Sequence, residues 1–404
     1  MYHYGYYVKL ADGRFKLSGN DWSQTLDSYK EGDSLGIKGS VEGIVVGVIK
    51  GEEAQRNRFD VMILLEQRSV STGQIVAPHE PRLVTRPQIQ ADFQGQKVRA
   101  VGNKIHLRPA NESFHDFQVH HLLWQLGRDW FDKEMAKPME ERHVILKWRH
   151  ERSEQFVKYR KPGQDPNLPV TAPVTGGGKA LQVLADDIYQ LAHALDTPKR
   201  IISRLKDAHE FQGARFEILV ASLIARCGFS IQFIDDTSKR NPEFLATKDG
   251  ECIAVEAKSR HRSGVLHERG AYRENAPAEI KRLYETALGQ NPGRLPFLVF
   301  IDVNLPLSPE VPIMEKEWVK EAMQTFEHRR KEEREDSDTA LVLTNFGWHF
   351  SRDARTRSGE YITVLAGKPN YPIRSQTLQL LERALSEYGL VVDEEECERR
   401  SRDG

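Results

Sequence analysis

Cysteine is scarce in this 404-residue chain, where Cys227, Cys252 and Cys397 are far apart and odd in number. That excludes a disulfide framework or a cysteine-based zinc site and fits free thiols in a reducing cytosol. A surplus of one charge is also lacking, since 58 Lys and Arg stand against 59 Asp and Glu. No global field draws the chain to nucleic acid or to an anionic membrane, so any such binding must rest on local patches. Nothing approaches the roughly 18 apolar residues of a membrane span. The opening MYHYGYYVKLADG has neither the basic segment nor the apolar run of a signal peptide. The expectation is a soluble, cytoplasmic protein that makes no membrane contact. A phosphate loop is missing too: at Gly178-Lys179, Ala180 replaces the required hydroxyl residue and Pro173 the first glycine.

The length allows two or three domains. Residues 1–110 carry short β-branched runs such as GSVEGIVVGVIKG between turn residues, which predicts a small β-rich domain, a sandwich or a barrel. Tyr2, Tyr4, Tyr6 and Tyr7 offer stacking surfaces to single strands, although tyrosines at alternating positions are the ordinary fabric of one strand face. Residues 111–161 change to helical spacing, with Leu, Trp and Phe recurring at three and four residues, and read as an α-helical connector. His115, His120 and His121 lie within it. Adjacent histidines on a helix point about 100° apart, which suits packing better than a shared metal. Residues 162–179 combine prolines with a glycine triplet and read as an exposed linker.

Residues 180–392 alternate helices and strands and predict an α/β domain with a mixed sheet flanked by helices; 393–404 form a polar tail. Within it, ECIAVEAKSR spans Glu251 to Arg260 and starts as a strand after the Asp249-Gly250 turn. Strand side chains alternate between faces, so Glu256 and Lys258 share one face and Val255 and Ala257 the other. Upstream lie PEFLAT, with Glu243, and the helix RFEILVASLIARCGF, with Glu217.

The order of helix-borne Glu217, then Pro242-Glu243, then Glu256-Ala257-Lys258 resembles the core of the PD-(D/E)XK nuclease superfamily, closely over Phe211 to Arg260 and in element order out to Phe346. The resemblance implies a restriction-endonuclease-like fold and a metal-dependent endonuclease acting on DNA, with RNA left open. Phosphodiesters repel nucleophiles by their own charge, so hydrolysis needs a cation on the phosphoryl oxygens and an activated water. By the resemblance, Glu243, Glu256 and the Ala257 backbone carbonyl hold Mg²⁺ or Mn²⁺, Lys258 serves the attacking water or a phosphate oxygen, and Glu217 tunes the site through a metal-bound water. The chain departs from the family at Glu243, where aspartate is usual. Asp235 and Asp236 stand close enough in sequence to substitute as ligands, or cap a loop.

After the lysine, Arg260, Arg262, Arg269 and Arg273 are spread through a Gly-containing loop suited to backbone phosphates. The connector's Lys147, Arg149, Arg152, Lys158, Arg160 and Lys161 form a second basic track, offset by Glu151 and Glu154. Trp348 and His349 follow a strand and line either a pocket or the core. A restriction or defence setting suits the architecture by analogy of fold. Two rivals stand beside the nuclease: a DNA-binding or scaffold protein that keeps the fold without cutting, and a regulator that binds a partner protein, or another copy of itself, through the N-terminal domain.

Overall fold

A computed structural model describes residues 2–9, 15–23, 26, 29–36, 41–57, 59–69, 96–102, 104–109, 112–163, 170, 172–195, 197–234, 241–266, 271, 273, 279–331, 340–351, 359–365 and 371–390. Asp235, Asp236, Arg269 and the polar tail lie outside the described residues. Two compact units divide the chain, one built on 1–112 and the other on 113–191 and 195–393.

In the first unit, β1 (Tyr2–Lys9), β2 (Phe15–Ser23), β3 (Ser34–Gly36), β4 (Val41–Lys50) and β5 (Val61–Ser69) form one sheet in the order β2-β1-β5-β4-β3. A short helix, α1 (Glu52–Arg56), precedes β5, while β6 (Gln96–Val101) and β7 (Lys104–Pro109) make a separate hairpin. β2 and β3 are the end strands, and among the described residues they do not pair with one another. Tyr4 is buried in the core with Val8, Val45, Val61 and Ile63. The Tyr6 hydroxyl lies 3.4 Å from that of Tyr29, and Tyr7 meets Phe59 edge-on. Three of the four N-terminal tyrosines are thus packing groups. Gly5 is required here, because a Cβ would come within 2.7 Å of the Phe59 ring.

The second unit begins with α2 (Phe114–Leu126), α3 (Arg128–Met135), α4 (Val144–Tyr159), α5 (Gly176–Ala194), α6 (Lys199–Lys206) and α7 (Phe211–Arg226). There follow β8 (Ser230–Phe233), β9 (Phe244–Lys248), β10 (Glu251–Ser259), α8 (Ile280–Leu288), β11 (Phe297–Asp302), α9 (Glu317–Lys331), β12 (Ala340–Asn345), β13 (Glu360–Leu365) and α10 (Ser375–Glu387). The six strands form one mixed sheet in the order β13-β12-β11-β10-β9-β8. β10, β11 and β12 run parallel, and the flanking pairings are antiparallel. Every residue of β11 and β12 is buried, as parallel strands covered on both faces must be. One core, on the α7 side, holds Phe216, Leu219, Val255, Ala257 and Phe300. The other holds Ala254, Leu283, Val299, Ile301 and Trp318. β10 therefore alternates between two apolar layers.

The structure redraws two boundaries. Val119 and Leu122 of α2 and Ile145 and Trp148 of α4 belong to the same core as Val255 and Phe300, so the helices expected to be a connector form part of the sheet domain. The glycine triplet, read as linker, opens α5: the Thr175 side chain caps the Gly178 N–H at 3.1 Å. A Cβ on Gly176 would sit 1.9 Å from the Ser351 carbonyl oxygen, so the glycine permits a close backbone approach. Among the described residues no helix is long and apolar enough to cross a membrane.

Candidate active site

β9 pairs with β10 only as far as Phe244 opposite Val255, whereas β10 continues to Ser259 alongside β11. Glu256, Ala257 and Lys258 therefore lie where β10 has outrun its neighbour, and among the described residues one edge of that strand faces a notch. Glu243, immediately before β9, borders it. Its backbone N–H donates to Glu256 Oε2 at 3.2 Å, and its carbonyl accepts from the Ile234 N–H at 3.1 Å.

Glu256 is fully buried, and Lys258 Nζ lies 2.5 Å from its Oε1. The contact bears out the shared strand face. Burial first, and Glu243 and Glu217 in addition, push the Glu256 carboxyl up to about 8 against the opposing pull of Lys258. Burial and then Glu217 likewise raise Glu243, with Lys258, Arg204 and Arg200 acting against them. The acids resist one another's charge, which is the electrostatic signature of a place that favours a cation.

Glu217, on the buried face of α7, pairs with Arg204 Nη1 at 2.6 Å. Among the described residues no group of three or more His, Cys, Asp or Glu stands in a metal-holding arrangement. Among the described residues, the two carboxylates brought together at the notch are Glu243 and Glu256. Their oxygen chemistry, with the Ala257 carbonyl in the notch, suits a hard divalent cation that keeps several waters.

Of the four loop arginines, Arg262 corrects the expectation most. It is 3 % exposed, and its Nε and Nη2 donate to the Val303 carbonyl at 3.3 and 3.2 Å. Its own N–H donates to Gln212 Oε1 at 3.0 Å, so Arg262 pins the loop into the fold instead of presenting a charge to substrate. Arg260 is committed to Glu279 at 2.6 Å. Arg273 is exposed, and Arg269 lies outside the described residues.

The other surfaces resolve toward packing. Arg152 pairs with Asp116 at 2.7 Å and Arg149 lies over the Phe131 ring, which takes both out of the connector track. Trp348 is buried and stacked on Phe346, and His121 packs against Trp124 and Tyr189.

Sequence reasoning passed over Arg200 and Arg204. They stand one turn apart on α6, opposite the buried Ile201, Ile202 and Leu205. The signal was a pair of arginines at i and i+4 on the polar side of a short amphipathic helix, one residue type for which charge alone does not distinguish solvent from a site. No protein-family model, curated protein or solved structure matches the chain.

Proposed function

We propose that the C-terminal unit is a metal-dependent nuclease of PD-(D/E)XK type that hydrolyses phosphodiester bonds in DNA. The observation that carries this reading is the 2.5 Å contact of Lys258 with the buried Glu256, at the point where β10 outruns β9 and Glu243 closes the notch. The run of α7, β8, β9, β10, α8 and β11, with β10 and β11 parallel, supports the superfamily assignment by element order.

Glu243 and Glu256 would hold Mg²⁺ or Mn²⁺, which would supply neutralisation of the phosphoryl oxygens and a more acidic water. The chain's own residues do the rest. Glu256 is held from both sides, by Lys258 on Oε1 and the Glu243 N–H on Oε2, so its orientation is fixed before substrate arrives. Lys258 keeps 18 % of its side chain exposed, enough to meet a phosphate oxygen or the attacking water at the mouth of the notch. Burial on α7 and the Arg204 contact hold Glu217 in place, where its charge acts on both Glu243 and Glu256 and would tune the acids' hold on the ion.

The test is incubation of the purified protein with linear, circular and single-stranded DNA in Mg²⁺, Mn²⁺ or chelator. Metal-dependent cleavage is expected, lost in both Lys258→Ala and Glu256→Ala. By calorimetry, Lys258→Ala should still bind metal, because the acids remain, while Glu256→Ala should bind it far more weakly. Duplex binding without cleavage in any metal would instead establish the scaffold reading.

A further inference from the structure

Helix α6 lies outside the segment that resembles the nuclease core, yet it places two guanidinium groups along the acids. Arg204 Nη1 meets Glu217 Oε2 at 2.6 Å, and its Nε lies 3.9 Å from the Glu210 carboxylate. One turn earlier, Arg200 Nη2 donates at 3.1 Å to the carbonyl of Ile234, the residue whose own N–H bonds the Glu243 carbonyl. Arg204 is thus on the Glu217 side of the site and Arg200 on the Glu243 side. Both act electrostatically on Glu243.

Space is kept for Arg204 by Gly213 on α7. A Cβ there would lie 3.3 Å from Arg204 Nη2 and 3.3 Å from His261 Nε2, so the two side chains converge over a residue without one. The Arg204 side chain retains 28 % exposure, whereas Glu217 retains 6 %. An arginine held solely to neutralise a buried acid has no need of that open side. A guanidinium fork bound to one carboxylate matches a phosphate oxygen pair equally well in geometry and charge.

We propose that Arg200 and Arg204 form a backbone-phosphate clamp for duplex DNA, and that Arg204 exchanges partners, leaving Glu217 for a phosphate when a divalent cation meets the acids' charge. This rests on the nuclease reading above. Glu217, Glu243 and Glu256 share the site with Lys258, Arg200 and Arg204, and Glu210 stands beside Arg204. A dication held by the acids offsets the charge that the arginines now answer, and the substrate's phosphates are the anions that take the acids' place. Metal and duplex then favour one another's binding.

The exchange has a signature separable from cleavage. In a Lys258→Ala background, binding of a short labelled DNA duplex is measured as salt rises, with Mg²⁺ or with chelator. Each neutralised phosphate contributes about 0.9 to the log-log slope. With Mg²⁺, Arg204→Ala should lower the slope by about 0.9, and Arg200→Ala by about the same. In chelator, Arg204→Ala should leave it unchanged, since Glu217 already holds that charge. Thermal melts accompany each variant; where Arg204→Ala melts early, Arg204→Gln, which keeps a donor for Glu217 and loses the charge, carries the same test. An unchanged slope with Mg²⁺, or an equal fall in chelator, overturns the exchange and leaves the nuclease reading standing. A wild type that neither cuts nor binds duplex, together with a Lys258→Ala parent that binds none, overturns both.

Discussion

Glu256 is a carboxyl group that the fold holds at a cost. Its folded value of about 8 lies above the ordinary 4.5, so between those values the folded chain binds a proton that the unfolded chain releases. Without metal, stability is therefore highest below the ordinary value, falls as pH rises from about 5 to 8, and levels above that. Glu256→Gln removes this fall, and the metal-free variant should melt above the wild type at pH 8, by on the order of a few kcal/mol, with the gap closing near pH 5. Melting curves across that range decide it; parallel curves for the two proteins would show that Glu256 carries no such penalty. Much of this site was legible in the sequence, because strand alternation alone puts Glu256 and Lys258 on one face. Arg262 was not. A loop arginine whose partner is a carbonyl 41 residues away leaves no periodic trace in the chain. Arg262→Ala should therefore destabilise the fold by roughly 2 kcal/mol, as loss of a buried charged donor does, while leaving the salt dependence of duplex binding alone.

At the scale of elements, hydrophobic periodicity and turn residues located β10, a compact apolar run that starts after the Asp249-Gly250 turn. The same rules failed at the glycine triplet. Glycine disfavours a helix, and the local reading of TGGGK as linker is sound until tertiary contact overrides it. The backbone at Ser351 and Trp348 approaches the first turn of α5 so closely that only glycine fits at Gly176. Gly176 and Gly178 are therefore predicted to differ. Gly176→Ala sets a Cβ 1.9 Å from one carbonyl oxygen and 2.3 Å from another, neither able to move alone, and should cost about 3 kcal/mol. At Gly178 the nearest atom is the Thr175 hydroxyl at 3.0 Å. There, the gain in helix propensity offsets the crowding, and Gly178→Ala should change stability by less than about 1 kcal/mol. Denaturant titration of both variants checks the contrast. Equal losses would mean that the triplet is tuned to helix entry as a whole and not to the Ser351 approach.

On the scale of the whole molecule, composition and patterning separated a β-rich beginning from an α/β remainder but misplaced where the remainder starts. The helices of residues 114–159 carry their own amphipathic pattern, and nothing local says which surface their apolar stripes meet. They meet the sheet domain: Phe211 of α7 packs against His143 and Trp148, and Trp148 in turn faces His349 beyond β12. Val119, Leu122, Leu126, Val144 and Ile145 join that core, each at most 7 % exposed. Two buried ties close the unit from its other end, the Tyr388 hydroxyl donating to Asp187 at 2.5 Å and the Thr377 hydroxyl to Glu251 at 2.6 Å. A fragment of residues 113–393 should therefore fold alone and unfold in one cooperative transition. A fragment of 180–393, cut where the sequence suggests a linker, would expose the apolar face that α2 and α4 cover and strip Phe211 of its His143 and Trp148 partners. Burial of five such aliphatic side chains is worth about 1.5–3 kcal/mol each, comparable to the whole stability of a domain. The shorter fragment is expected to aggregate or to show broad, non-cooperative melting by circular dichroism, and to recover neither when α4 alone is restored. Cooperative folding of 180–393 would place the domain boundary back at the prolines and make the helical segment an appendage.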